Sequence, residues 1–118
     1  MLDTDGYVYV SFKDGGLFYI AQFAKDMKSI LKTQLVYTPP SDRSDMEGTR
    51  PYKINGTYYI FSSHPSAGAE YALKASGNVW STYTAKVFLT GAVPQPPLTG
   101  SIGQGALVDT PDGKVCGA

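Results

Sequence analysis

The stretch that decides the fold is Asn55-Gly56-Thr57-Tyr58-Tyr59-Ile60-Phe61-Ser62, followed after a Gly-containing turn by Glu70-Tyr71-Ala72-Leu73-Lys74-Ala75. Asn-Gly suits a tight hairpin turn of type I′, because both central residues of that turn need positive φ. The aromatic and aliphatic alternation after it is strand-like. The same pattern stands earlier. Asp5-Gly6 precedes Tyr7 to Phe12 and, after another Gly-containing turn, Leu17 to Phe23. A third pair, Asp112-Gly113, precedes Lys114-Val115-Cys116. All three pairs are expected to make type I′ turns. Hairpin units recurring at about 40–50 residues point to propeller blades. A β-sandwich built from several hairpins has the same local pattern, so the repeat leaves both architectures open.

The connectors agree with an all-β chain. Pro39 to Asp45 is polar and punctuated, and Val93 to Gly100 is rich in Pro and Gly; both read as loops between blades. The only helical candidate is a turn near Ala24 to Lys28. The chain reads as one unit, residues 1–118, with no separate second domain.

Composition narrows the function. Ten Lys plus Arg balance ten Asp plus Glu, so the net charge is zero. That provides no footprint for nucleic acid or an anionic membrane surface. No run of about 18 apolar residues is present to span a bilayer. The first residues do not form a secretory signal pattern. Cys116 is the only cysteine, so no internal disulfide forms. No zinc spacing, phosphate loop or nucleophile elbow occurs, and no cofactor is expected.

Glu47 follows the polar Pro39 to Asp45 loop and is expected just before a strand, Pro51 to Ile54. A carboxylate at such a strand entrance either lies on the surface or points into a central cleft. Gly48 is expected to let the backbone approach a neighbour closely. Arg50 suits either a structural salt bridge or the orientation of a carboxylate or sugar hydroxyls. His64, the only histidine, is expected in a loop, either solvent-exposed or hydrogen-bonded to a sugar hydroxyl. Tyr52, Tyr58 and Tyr59 suit packing between strands or stacking on sugar rings. Trp80 is assigned a packing role against an outer strand. Asn55-Gly56-Thr57 fits the N-glycosylation pattern, but turn chemistry already explains it.

The stretch from Met46-Glu47-Gly48-Thr49-Arg50-Pro51-Tyr52 through Lys53-Ile54-Asn55-Gly56-Thr57-Tyr58-Tyr59-Ile60 resembles the third-blade segment of glycoside hydrolase family 43. Gly100 to Gly113 resembles a later segment of that family, and Asp3 to Val10 with Ile20-Ala21-Gln22 its second-blade hairpin. The order and spacing of the three segments agree. The resemblance implies a partial five-bladed β-propeller and hydrolysis of O-glycosidic bonds with inversion. Plant-type polysaccharides of the arabinan, xylan or galactan class are the implied substrates, and the location is extracellular.

In such an enzyme one carboxylic acid protonates the leaving oxygen and a second carboxylate activates water. Glu47 matches the general acid. Arg50 matches the arginine that follows it, and His64 falls in a segment where relatives place substrate contacts. The family's two catalytic aspartates lie in blade segments that this sequence does not contain. Asp3 and Asp5 are turn residues and receive no catalytic role. Gly103 stands where the family carries an axial His or Asp, so no metal is expected through that position. The chain is therefore expected to be a fragment whose partners are the missing blades and an oligo- or polysaccharide. Open strand edges make it prone to aggregation. An inactive remnant with weak carbohydrate affinity, or a propeller-type scaffold for a protein partner, are the competing expectations.

Overall fold

The computed structural model describes residues 1–90 and the short strands at 107–109 and 115–117. It contains three antiparallel sheets. Sheet one orders β1 (Tyr9–Asp14), β2 (Leu17–Phe23) and β3 (Ile30–Tyr37). Sheet two orders β4 (Glu47–Ile54), β5 (Thr57–His64), β6 (Ala69–Ala75) and β7 (Tyr83–Thr90). A two-stranded ribbon pairs β8 (Leu107–Asp109) with β9 (Val115–Gly117). The sequence pattern singled out neither β3 nor β7. Each is the outermost strand of its sheet, and β3 is mostly exposed, which weakens the alternation that marks a half-buried strand.

The repeat is real, but its register differs from the expectation at one turn. Asn55 and Gly56 have φ of 51° and 79° and join β4 to β5, as a type I′ turn requires. Asp5-Gly6 does not make that turn. Only Gly6 has positive φ there, at 83°, and its N–H donates to the Asp3 carbonyl at 3.0 Å. The turn joins Leu2 to Val8, which form an isolated antiparallel bridge. Sheet one thus has a single bridge where sheet two has β4, and β1 corresponds to β5. The β1–β2 hairpin turns through Gly15 and Gly16, the Gly-containing turn the sequence predicts there, with φ of 56° and 80°. Asp112-Gly113, Gly103 and the Val93 to Gly100 connector lie outside the described residues. Residues Ala24 to Lys28 form turns and bends. The only helical elements described are single 3₁₀ turns at Ser41–Arg43 and Pro65–Ala67.

Alternation sorts the side chains of sheet two into two faces. Ile60, Leu73, Tyr71, Ala75 and Tyr83 point toward sheet one and form one core with Tyr9, Phe18, Ile20 and Val36. Burying each large apolar side chain stabilises the fold by roughly 1.5–3 kcal/mol. Met46, fully buried at the end of the connector, fixes where β4 begins. Pro51 lies within β4, which is possible because β4 is an edge strand of its sheet and Pro has no N–H for a second partner.

Polar contacts pin the two sheets together at one point. Asp3 is buried. It accepts hydrogen bonds from Lys53 Nζ at 2.9 Å, from the Thr4 N–H at 2.6 Å and from the Tyr58 hydroxyl. Burial pushes its carboxyl up, but these bonds and the Lys53 charge outweigh it and hold the group at about 2, below its ordinary 3.8. Asp5 accepts from the Tyr9 hydroxyl at 2.7 Å and the Tyr7 N–H at 2.9 Å. Both aspartates are thus fully engaged in structure. Trp80 lies in the turn between β6 and β7 and packs, as expected, against an outer strand, β3 of sheet one. It meets Tyr9 edge-on at 5.8 Å, carries Lys32 over its ring at 4.2 Å, and accepts from Gln34 Nε2 through its carbonyl. It therefore closes the seam between the sheets.

Candidate active site

Glu47 is the first residue of β4, not a loop residue ahead of it. It pairs with Ser63, and Arg50 pairs with Phe61, so three steps on β4 match two on β5. This is a β-bulge. Gly48 supplies it with a φ of 65°, a left-handed conformation that L residues disfavour. The reason for glycine here is this backbone conformation. The bulge has a chemical consequence. Residues three apart on a regular strand face opposite sides, whereas one extra residue returns Glu47 and Arg50 to the same side. The Ser62 hydroxyl donates to the Glu47 carbonyl at 2.8 Å and steadies the strand start. The Glu47 side chain is exposed; the described residues do not provide the burial expected around a general acid.

A second carboxylate shares this face. Ser63 pairs with Glu47 on one side and with Glu70 on the other. The backbones of Glu47 and Glu70 therefore stand two strand spacings, about 10 Å, apart. Glu70 is only 3% exposed and accepts from the Ser63 hydroxyl at 3.1 Å. Burial pushes its carboxyl above the ordinary range; the Ser63 bond and the Arg50 charge act the other way. The sequence reading passed over Glu70. Its signal was available: a lone acid inside the apolar run Ala69 to Leu73 is a buried polar group that needs a partner.

Farther along the same face lies an aromatic group. Tyr52 and Phe88 meet Phe61 edge-on at 5.6 and 5.2 Å, and Tyr59 approaches it at 6.3 Å. Tyr58 points the other way, to Asp3. The three tyrosines thus divide between the two faces, two in this cluster and one at the seam.

His64 corrects an expectation. It is neither in a loop nor exposed: it ends β5 and is 6% exposed. The strand runs on through Ser62 and Ser63 because both hydroxyls find buried acceptors, and Pro65 then opens a 3₁₀ turn. His64 Nε2 lies 3.0 Å from Asp45 Oδ1 and 3.1 Å from Ser66 Oγ. The Ser66 N–H donates to the other Asp45 oxygen at 2.9 Å. His64 also packs against Tyr71, over whose ring Arg43 sits at 5.0 Å. The histidine thereby ties the connector ahead of Glu47 to the end of β5. Among the described residues no group of three His, Cys, Asp or Glu side chains is placed to hold a metal.

These strands and their order define part of a β-propeller, with a bulged strand start carrying a carboxylate and a guanidinium on one face. A solved glycoside hydrolase of family 43 superposes on 98% of this chain with a TM-score of 0.84 and 30% identity. That enzyme, with its active site engineered, displays both endo-xylanase and exo-arabinofuranosidase activity. Xylosidase/arabinosidase 43B of Humicola insolens is 34% identical over 79 residues, 63% of this chain. No protein-family model matches the chain. The resemblance read from the sequence holds: the chain matches, in sequence and in fold, a part of family 43 glycoside hydrolases. It spans 22% of the solved relative and 15% of the Humicola protein.

Proposed function

We propose that this chain contributes the general-acid strand of an inverting glycoside hydrolase acting on plant-type polysaccharides of the arabinan, xylan or galactan class. The observation that supports this reading is the Gly48 bulge, which sets Glu47 and Arg50 side by side at an exposed strand start. Glu47 is the acid that protonates the leaving oxygen. Arg50 orients substrate hydroxyls or a carboxylate beside it. His64 is buried, so its part in substrate contact runs through Asp45, which it holds at the mouth of the connector. The family's catalytic aspartates belong to other blades, and the water-activating base is theirs. An extracellular location belongs to the same reading, because a polymer is met outside the cell; assay of culture medium against cell extract checks it.

The test is Glu47→Gln in a protein that joins this segment to a complete propeller. Hydrolysis of natural glycosidic bonds falls about 10²–10⁴-fold, while aryl glycosides with activated leaving groups lose far less. Small, equal losses on both substrates rule out the acid assignment. The competing reading is a remnant that binds sugar without cleaving it, supported by the exposure of Glu47, which lacks, among the described residues, the burial a general acid needs. Glycan binding by the purified 118-residue chain with no release of reducing sugar favours it; turnover by that chain rejects it.

A further inference from the structure

Glu70 is a buried carboxylate with no part in the acid chemistry just described. It is nearly solvent-free, so it does not meet substrate or the attacking water. Three observations say what it does. Its carboxylate takes the Ser63 hydroxyl at 3.1 Å, and Ser63 is the residue paired with Glu47. The bulge turns Arg50 onto the face that Glu70 occupies, and the two charges act on each other. A buried carboxylate without a compensating cation is expensive, and Arg50 on the same face supplies a charge that acts on it.

Resting on the reading of Glu47 as the acid, we propose that Glu70 is a positioning residue. It anchors Ser63 and holds the Arg50 guanidinium at a fixed place beside Glu47. The cation is thereby kept from swinging freely between the acid and solvent. Gln at this position keeps the shape and a hydrogen bond to Ser63 but removes the charge that holds Arg50.

The chain suits a direct test, because it contains two glutamates, Glu47 and Glu70, and two arginines, Arg43 and Arg50. Labelling Glu carboxyl carbons and Arg Nε gives two NMR signals of each kind, assigned by single substitutions. In Glu70→Gln, the Arg50 Nε signal is expected to shift and its {¹H}–¹⁵N NOE to drop toward values of a mobile side chain, with Arg43 unchanged. The Glu47 carboxyl signal is expected to move in Glu70→Gln, and to stay still when the same change is made in an Arg50→Gln background. That pattern shows the influence of Glu70 reaching Glu47 through Arg50. An unaltered Arg50 signal, or a Glu47 signal that moves equally in both backgrounds, overturns the proposal. Where Glu70→Gln alters the backbone spectrum beyond β5 and β6, Ser63→Ala is the second variant. It leaves the Glu70 charge in place, so Arg50 is expected to keep its wild-type signal; loss of that signal overturns the proposal. None of these readouts depends on turnover, so failure of the acid assignment under Glu47→Gln is seen separately.

Discussion

Sheets one and two are built on the same hairpin repeat, yet an acid in each has the opposite fate: Asp3 beside the first turn of sheet one, and Glu47 at the start of β4 in sheet two. In sheet one, Asp3 precedes the turn into β1 and is buried, with Lys53, Tyr58 and Thr4 all bound to its carboxylate. In sheet two, Glu47 opens β4 and is exposed, with its backbone rather than its carboxylate held by Ser62. A carboxylate whose lone pairs are all taken is a structural anchor. One left open on a bulge, beside an arginine, is available for chemistry. The difference teaches that the repeat supplies positions, and that the partners decide their use.

The sharpest way to break this comparison is to exchange the roles by mutation. Glu47→Gln is expected to cost about 10²–10⁴-fold in turnover of natural glycosides in a protein with the complete propeller. It is also expected to leave the melting temperature unchanged. Asp3→Asn is expected to do the reverse. It should lower unfolding free energy by about 2 kcal/mol, from lost charge-assisted hydrogen bonds, while turnover per folded molecule stays the same. Chemical denaturation and specific activity on both variants check the pair. A loss of activity in folded Asp3→Asn removes the distinction.

The dependence of stability on pH separates the buried acids further. Asp3 is held at about 2 against an ordinary 3.8. Its contribution is present above pH 3.8 and is lost as pH falls from there toward 2, because the unfolded chain takes up the proton first. Glu70 is shifted the other way, upward from 4.5. Its contribution is full below pH 4.5 and declines as pH rises through its folded value. Urea midpoints measured from pH 2 to 8 should therefore lose their fall below pH 3.8 in Asp3→Asn. In Glu70→Gln they should lose their decline above pH 4.5. A shared response of both variants would contradict the opposite environments.

The smallest effect tests what the sheets have in common. Gly16 and Gly56 have φ of 80° and 79°, and an added Cβ at either meets nothing within 4 Å. Gly16→Ala and Gly56→Ala should each cost about 1–2 kcal/mol from backbone conformation alone, and by similar amounts. Thermal melts of the two variants compare them. A markedly larger cost at one would show that more than the left-handed backbone conformation fixes glycine at that turn.

Much of this was legible in order along the chain. Asn55-Gly56 and the alternating aromatics announced the hairpin, because turn geometry and the two-residue pleat are local. Met46 to Ile60 carried the family resemblance for the same reason. What escaped was non-local. Asp5-Gly6 looked like Asn55-Gly56, but Asp3 already accepts the Gly6 N–H through its carbonyl and closes a different turn. His64 looked like a loop residue because Pro65 follows it, whereas the serines before it carry β5 to its end. Glu70 stood as one acid in an apolar run, and nothing adjacent in sequence shows that Ser63 and Arg50 meet it. The chain's local chemistry thus specified strands, turns and the acid-bearing motif. The tertiary structure decided which carboxylate is free and which is anchored, because burial and hydrogen-bond partners come from strands far apart in sequence.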